Sequence, residues 1–130
     1  MNTNMKKLMI AALLFTSLAA DAQNVMKKEA DGTYVVNSTT LAQDVEGYAG
    51  TTPVEVYIKK NKIVKVEALK SQETPKYNAK VKKQMLPKYE GMNVKSGKVQ
   101  DVDAVTGATF TSKAMQENIR RAVEYYKKHK

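Results

Sequence analysis

The stretch of sequence that decides the fold is VEVYIKKNKIVKVEAL, residues 54–69. Val54, Val56 and Ile58 alternate with polar or aromatic residues, which is the two-residue period of a half-buried β-strand. Lys60 and Asn61 form a predicted tight turn, after which the chain returns as a partner strand over residues 63–69. The apolar residues expected on one face of this second strand are Val64, Val66 and Ala68. The sequence therefore predicts a β-hairpin.

Two helices are predicted after the hairpin, and short strands are predicted before it at 33–36 and 45–50. The first helix, from about residue 78 to 85, carries Val81 and Met85 on one side, four residues apart. The second begins near Ser112 and has one continuous apolar stripe, made of Met115, Ile119, Ala122, Val123 and Tyr126. This order predicts an α+β fold: a small antiparallel sheet built on the hairpin, packed by a middle helix and a C-terminal helix.

The N-terminal segment, residues 1–22, has the features of a secretory signal peptide. Lys6 and Lys7 precede an apolar run over residues 8–20, which is shorter than the roughly 20 residues of a membrane-spanning helix. The small-x-small pattern of residues 20–22 predicts cleavage before Gln23, with an uncleaved anchor as the alternative. We expect a flexible lead-in at 23–30, a domain at 31–130, and export to the periplasm or to the outer face of the cytoplasmic membrane.

The composition excludes several kinds of site. The chain has no Cys and a single His, His129, so disulfides, thiolate metal sites, cysteine nucleophiles and a Ser-His-Asp triad are not expected. Its net charge of +9 suits an anionic partner, whether nucleic acid, anionic lipid or a phosphate group. The predicted export disfavours nucleic acid. Because the chain has no Cys and a single His, any redox role is expected to come from an organic cofactor.

The segment with chemical potential is DAVTGATFTS, residues 103–112, at the entry to the last helix. Thr111 or Ser112 is expected to cap the helix by accepting a backbone hydrogen bond. Gly107 permits a positive φ or a close approach of the backbone to a ligand. The free N–H groups of a helix start also attract phosphate. From the residues alone, simple capping and phosphate binding both remain open.

The string DAVTGAT, residues 103–109, resembles the flavinylation motif of the FMN-binding domain family. That family includes the covalent-FMN subunits of sodium-translocating NADH:quinone reductase and of Rnf-type electron-transport complexes. Other pieces that are similar to the family occur in the same order, at residues 31–34, 47–50 with 53–56, 62–64 and 73–75. The resemblance covers nearly all of the predicted domain.

The resemblance implies that a threonine hydroxyl is joined to the phosphate of FMN as a phosphoester. A separate flavin transferase makes this bond in the family, with FAD as the donor. By position the acceptor is Thr109, with Thr111 as the fallback, and Asp103 is either read by the transferase or a turn-initiating residue. The rest of the motif, which we expect to shape an open turn, consists of Thr106, Gly107 and Ala108.

Four further residues are assigned around this motif. Tyr48 either stacks on the isoalloxazine ring or packs on the sheet. By resemblance, Glu73 and Thr74 line the pocket, and we expect Phe110 to be a core residue beneath the last helix. The lysines interpreted as a solvated face of the middle helix, rather than a docking site, are Lys80, Lys82 and Lys83.

Together these features predict an exported FMN protein that relays electrons. The sequence supplies no evident acid or base for substrate activation, so a carrier or reductase subunit is favoured over a complete enzyme. The implied partners are a flavin transferase and a membrane electron-transfer complex or reductase, with no nucleic acid. Two alternatives stay open: a noncovalent FMN-binding redox sensor, and a flavin-free basic module that binds lipid or a cell-envelope polymer.

Overall fold

A computed structural model describes residues 25–130, and the predicted signal peptide at 1–22 lies outside this part of the chain. Four antiparallel strands form one sheet in the order β1-β2-β3-β4. The strands are β1 (Met26–Lys28), β2 (Tyr34–Asn37), β3 (Val54–Lys59) and β4 (Lys62–Ala68). The helices are α1 (Pro75–Gln84), a 3-10 turn (Leu86–Tyr89) and α2 (Thr109–His129). The predicted α+β fold is confirmed.

The hairpin β3–β4 forms as predicted, and its turn has an unusual backbone. Lys60 and Asn61 have φ values of 51° and 63°. Positive φ at both central residues gives a two-residue turn the twist that matches its flanking strands. The phenol of Tyr126 donates a hydrogen bond of 2.7 Å to Asn61 Oδ1, so the end of α2 is fastened to this turn.

The partner strand β4 departs from strict alternation. Ile58 pairs with Ile63 but Tyr57 pairs with Lys65, so Val64 is an extra residue in β4. This bulge turns the Val64 side chain outward, where it is 48% exposed. The prediction that Val64 faces the core is wrong, because a period of two does not anticipate an inserted residue.

The predicted flexible lead-in at 23–30 is wrong over residues 26–28, which form β1. This strand pairs with β2, with Met26 opposite Val36, and Met26 packs against the core. Lys27 and Lys28 are exposed, as is usual for an edge strand. The polar residues of this segment gave no strand pattern in the sequence, yet backbone hydrogen bonds pair it with β2.

Both helices begin three residues earlier than predicted. α1 starts at Pro75, whose fixed φ suits the first helical position, and the expected Val81 and Met85 are both buried. α2 starts at Thr109 rather than near Ser112, and its predicted apolar stripe is entirely buried. Within residues 25–130, no helix combines the length and the apolar character needed to cross a membrane.

A buried polar network sets the position of α2 on the sheet. The Asn118 side chain accepts a 2.6 Å hydrogen bond from Ser38 Oγ and donates to Thr52 Oγ1 at 3.2 Å and to the Ala114 carbonyl at 2.9 Å. Ser38 Oγ in turn accepts from the N–H of Val54, at the start of β3. Because each of these buried groups has a partner, the network favours one register of α2 against β2 and β3.

The bulge in β4 makes a direct prediction. Val64→Lys should change the free energy of unfolding by no more than about 0.5 kcal/mol, because its side chain faces solvent. Val66→Lys, two residues on, should cost at least about 3 kcal/mol, because Val66 is buried and a lysine there loses its hydration. Urea unfolding followed by circular dichroism measures both. Equal costs would show that Val64 faces the core.

Candidate functional site

The predicted motif forms an open turn at the start of α2, which we name the acceptor turn (residues 105–109). Gly107 has a φ of 85°, and the Ala108 N–H donates to the Val105 carbonyl at 3.0 Å. The Val105 N–H donates to Ser112 Oγ at 2.9 Å, so a side chain of α2 fixes the first residue of the turn. Gly107 thus has a left-handed backbone conformation, which glycine adopts easily because it has no Cβ atom.

The start of α2 leaves three backbone donors open. Ala108 is the N-cap, no side chain caps the helix, and the first backbone bond runs from the Ser112 N–H to the Ala108 carbonyl at 2.9 Å. The N–H groups of residues 109–111 have no partner within the described part of the chain. The expected capping by Thr111 or Ser112 is therefore wrong, and the helix start stays available to an anion.

The hydroxyl groups of the motif differ sharply in access. Thr109, the first residue of α2, is exposed, as are Thr106 and Asp103 on the preceding chain. Thr111 is only 1% exposed, and its hydroxyl donates to Glu73 Oε1 at 3.1 Å. The expectation of an exposed fallback acceptor at Thr111 is wrong, because the earlier start of α2 turns that residue inward.

Glu73 is a buried carboxylate, 4% exposed, that joins three segments of the chain. Its Oε1 accepts from the Tyr48 N–H at 2.7 Å and from the Thr111 hydroxyl, and its Oε2 accepts from the Ala49 N–H at 2.7 Å. Hydrogen bonds to an ionised acceptor are short and strong. We name these three hydrogen bonds the Glu73 clamp. Glu73 lies behind the site and positions it, whereas the resemblance placed it in the lining.

Gly47 lets the chain pass close to Glu73. A Cβ atom on Gly47 would lie 1.9 Å from Glu73 Oε1. The Gly47 N–H donates to the Gly50 carbonyl at 2.7 Å, which closes a tight loop over residues 47–50. The short strand predicted at 45–50 is replaced by this glycine loop, with a single bridge between Glu46 and Thr51.

An aromatic cavity of about 300 Å³ opens beside the acceptor turn and is lined by Tyr48, Tyr77 and residues 107–111. Tyr48 is 63% exposed and meets Tyr77 edge to face, with ring centroids 5.5 Å apart.

Phe110 is 68% exposed, so the prediction of a core residue is wrong. Because α2 begins at Thr109, Phe110 is part of the helix but lies outside its buried stripe. Tyr77 was missed, because no pattern in the sequence separates it from other tyrosines.

Thr74 does not line this cavity. It is the N-cap of α1, where its carbonyl accepts from the Asn78 N–H at 3.0 Å. The resemblance placed Thr74 in the pocket beside Glu73, and the structure gives it the separate role of starting the helix that carries Tyr77.

The lysines of α1 do not form one uniform solvated face. Lys82 and Lys83 are exposed, as predicted. Lys80 is half-buried, and its Nζ lies 3.3 Å from the point that a Cβ on Gly107 would occupy. The spacing in sequence could not show this approach, because it depends on how α1 packs against the acceptor turn.

A larger cavity, of about 430 Å³, lies on the other side of α2, beside residues 97–102. Three of its charged lining residues pair with one another, since Arg120 contacts Glu117 at 2.6 Å and Glu124 at 3.0 Å. It contains no residue of the acceptor motif. The smaller aromatic cavity is therefore the better candidate site.

The aromatic cavity fits FMN, the group that the resemblance implies. Exposed aromatic faces at Tyr48 and Phe110 suit a flat tricyclic ring. The open N–H groups at the start of α2 suit a phosphate, and the exposed Thr109 hydroxyl lies at the same place. The ring and phosphate requirements are thus met by adjoining residues.

The close approach of Gly47 to the Glu73 clamp predicts non-additive substitutions. Gly47→Ala should cost about 2–3 kcal/mol of unfolding free energy, because the new methyl group overlaps Glu73 Oε1. In a Glu73→Ala background the same change should cost less than about 1 kcal/mol, since the overlapping carboxylate is gone. Denaturant unfolding of the four chains gives this cycle. Equal costs in both backgrounds would contradict the contact.

Comparison with known proteins agrees with this site. A model of the FMN-binding domain family matches residues 47–124, which include the glycine loop, Glu73, α1, the acceptor turn and most of α2. No curated protein and no solved structure matches the chain. The match covers more than half of the sequence and supports FMN as the cofactor. The chain therefore belongs to the FMN-binding domain family.

Proposed function

We propose that this protein is exported, carries FMN as a phosphoester on Thr109, and relays electrons between partners outside the cytoplasm. The observation that carries the proposal is the placement of Thr109. Its exposed hydroxyl stands at the open start of α2, on the edge of the aromatic cavity, in a chain of the FMN-binding domain family.

The attachment step is a phosphoryl transfer that needs no redox co-reactant. Thr109 Oγ forms a bond to the flavin-side phosphorus of FAD, the pyrophosphate bond breaks, and AMP leaves. The hydroxyl proton passes to a base of the flavin transferase, because the lining of the aromatic cavity contains no carboxylate, histidine or lysine. The exposed acceptor turn, free of bulk at Gly107 and Ala108, presents the hydroxyl to that enzyme.

The residues of the chain would then position the flavin. The N–H groups of residues 109–111 would hold the phosphate, and Tyr48 and Phe110 would contact the ring and shield part of it from water. The Glu73 clamp keeps the glycine loop against the first turn of α2. When bound, FMN supplies one- or two-electron exchange, and the protein supplies position and electrostatics.

The same lining favours a carrier over a complete enzyme. Tyrosine, phenylalanine, threonine, glycine and alanine residues line the cavity, and they include no carboxylate, histidine or lysine to serve as a general base near neutral pH. We therefore assign the electrons' source and destination to a membrane electron-transfer complex or reductase that contacts the flavin.

Export is part of the proposal, and the signal-peptide features of residues 1–22 support it. A covalent bond suits this location, because a cofactor lost by dissociation outside the cytoplasm could not be replaced there. Expression in a bacterial host should yield an extracytoplasmic protein whose first residue is Gln23. A cytoplasmic protein that keeps residues 1–22 would contradict this part.

Attachment to Thr109 predicts a variant series. Co-expressed with a flavin transferase, the wild-type chain should fluoresce in a denaturing gel and gain the mass of one FMN less one water. Thr109→Ala should be dark and unmodified, because the accepting oxygen is absent. Thr106→Ala and Thr111→Val should still become fluorescent, since neither removes that oxygen. Thr111→Val should be modified more slowly, because it loses the hydrogen bond to Glu73.

The other outcomes separate the competing functions. Flavin that co-purifies with the wild type but is released on denaturation would indicate a noncovalent FMN protein. A flavin-free wild type with salt-sensitive binding to anionic liposomes would indicate a basic surface-binding module. Either result overturns the covalent proposal.

A further inference from the structure

Helix α1 and the chain around it carry many positive charges and almost no negative ones. Residues 70–89 contain six lysines, and the single acidic residue among them is the buried Glu73, which already accepts three hydrogen bonds. Within residues 25–130, no ion pair and no side-chain hydrogen bond involves any of these six lysines. On α2, by contrast, Arg120 and Arg121 both pair with acidic side chains. The positive charge of α1 is therefore left uncompensated.

Three of these lysines form a stripe along α1, which we name the lysine stripe (Lys76, Lys80 and Lys83). They are spaced by four and three residues, so they lie on the same side of the helix. Lys76 and Lys83 are exposed and Lys80 is half-buried, whereas Val81 lies on the buried side.

Helix stability does not account for the lysine stripe. Like charges three and four residues apart repel each other. Lys76 also lies in the first turn of α1, where the positive end of the helix dipole disfavours a cation and no acidic residue is present. A negatively charged partner would relieve this repulsion.

The lysine stripe runs beside the aromatic cavity. Tyr77, which follows Lys76 in the chain, lines the cavity. Lys80 Nζ lies 3.3 Å from the point that a Cβ on Gly107 would occupy, and Gly107 also lines the cavity. Phe110, in the same lining, is exposed. Aromatic groups bordered by polar and charged residues are typical of protein docking surfaces.

We propose that the lysine stripe docks an acidic surface of the protein that exchanges electrons with the flavin. The inference rests on the proposed function and deepens it, because it gives the chemistry of the partner and the side from which it approaches. A partner that contacts the flavin covers the mouth of the aromatic cavity, and the stripe lies along that mouth. A lipid surface seated on the stripe would instead keep such a protein from the flavin. Opposite charges on two proteins steer their encounter and fix its orientation.

The hairpin turn offers a matched control at the far end of α2. Lys62 and Lys95 are exposed and form no ion pair within residues 25–130. Both lie beside Asn61, whose side chain bonds Tyr126 and whose carbonyl accepts from the Val94 N–H at 2.8 Å. Tyr126 is about 25 Å from the start of α2, at a rise of about 1.5 Å per residue. Because exposed charges are screened within about 8–10 Å at physiological salt, the two control lysines have little effect at the cavity mouth.

The first test compares Lys76→Glu/Lys83→Glu with Lys62→Glu/Lys95→Glu, which changes the net charge by the same amount. Each flavin-loaded protein is reduced without oxygen and mixed by stopped flow with ferricyanide, an anionic oxidant that reports the charge near the flavin. Two ferricyanide ions each take one electron from one fully reduced flavin. At low salt the stripe variant should react about tenfold more slowly than the wild type, and the control variant should stay within about twofold. At high salt all three rates should converge, because screening removes the steering.

Two outcomes of this test would overturn the docking surface. Equal slowing in both double variants would show that only the net charge of the protein matters. A slower rate of the stripe variant that persists at high salt would report damage to the site, since screening does not repair a changed structure.

A binding experiment without flavin identifies the kind of partner. The unloaded wild type should bind poly-L-glutamate in a salt-sensitive way, the stripe variant about tenfold more weakly, and the control variant within about twofold of the wild type. Vesicles of phosphatidylcholine and phosphatidylglycerol in equal parts should bind the two double variants equally. Vesicle binding that is lost in the stripe variant alone would assign the stripe to a lipid surface and refute a protein partner.

The two proposals fail separately. A wild-type chain that is never flavinylated overturns the proposed function, and the poly-L-glutamate experiment then tests the lysine stripe by itself. A flavinylated chain whose two double variants bind poly-L-glutamate equally leaves the proposed function in place and overturns the stripe as the docking surface.

Discussion

The carboxylate of Glu73 is the constraint on which the site depends. It is buried, and burial of a carboxylate is costly unless its oxygens are satisfied. Three donors satisfy it, from Tyr48, Ala49 and Thr111, and each belongs to a segment that also shapes the cavity. The glycine loop, the entry to α1 and the first turn of α2 are therefore brought together by one side chain.

The rest of the fold delivers the acceptor turn to that point. Asn118 sets the register of α2 on the sheet, and Ser112 holds the turn through the Val105 N–H. The start of α2 thus lies at a defined distance from the sheet and from α1. Thr109, at the end of this turn, is therefore held in a defined place relative to the sheet.

Local patterns in the sequence predicted the parts of the fold that local chemistry determines. The hairpin follows from alternation at Val54, Val56 and Ile58, and α2 follows from a single apolar stripe. The bulge at Val64 and the pairing of β1 depend on the neighbouring strand, so the pattern of one strand could not reveal them.

The sequence motif predicted where the site lies, but it did not predict which of its side chains are buried and which are exposed. Resemblance identified the turn around Thr109, and the structure keeps that hydroxyl exposed. Thr111 was expected to be exposed and is buried, whereas Phe110 was expected to be buried and is exposed. The cause is the start of α2, which lies three residues earlier than predicted and so places both residues in the helix. The approach of Lys80 to Gly107 arises from helix packing, for which the sequence has no local signature.

Three physical elements meet at this site: a satisfied buried carboxylate, an uncapped helix start and an exposed threonine at the edge of an aromatic cavity. The central prediction is that the hydroxyl of Thr109 carries the flavin. Tandem mass spectrometry of the tryptic peptide 99–113, from protein matured with a flavin transferase, tests that claim most directly. The expected result is an added FMN less one water, localised to Thr109. An unmodified peptide, or the same addition on Thr106 or Thr111, would contradict it.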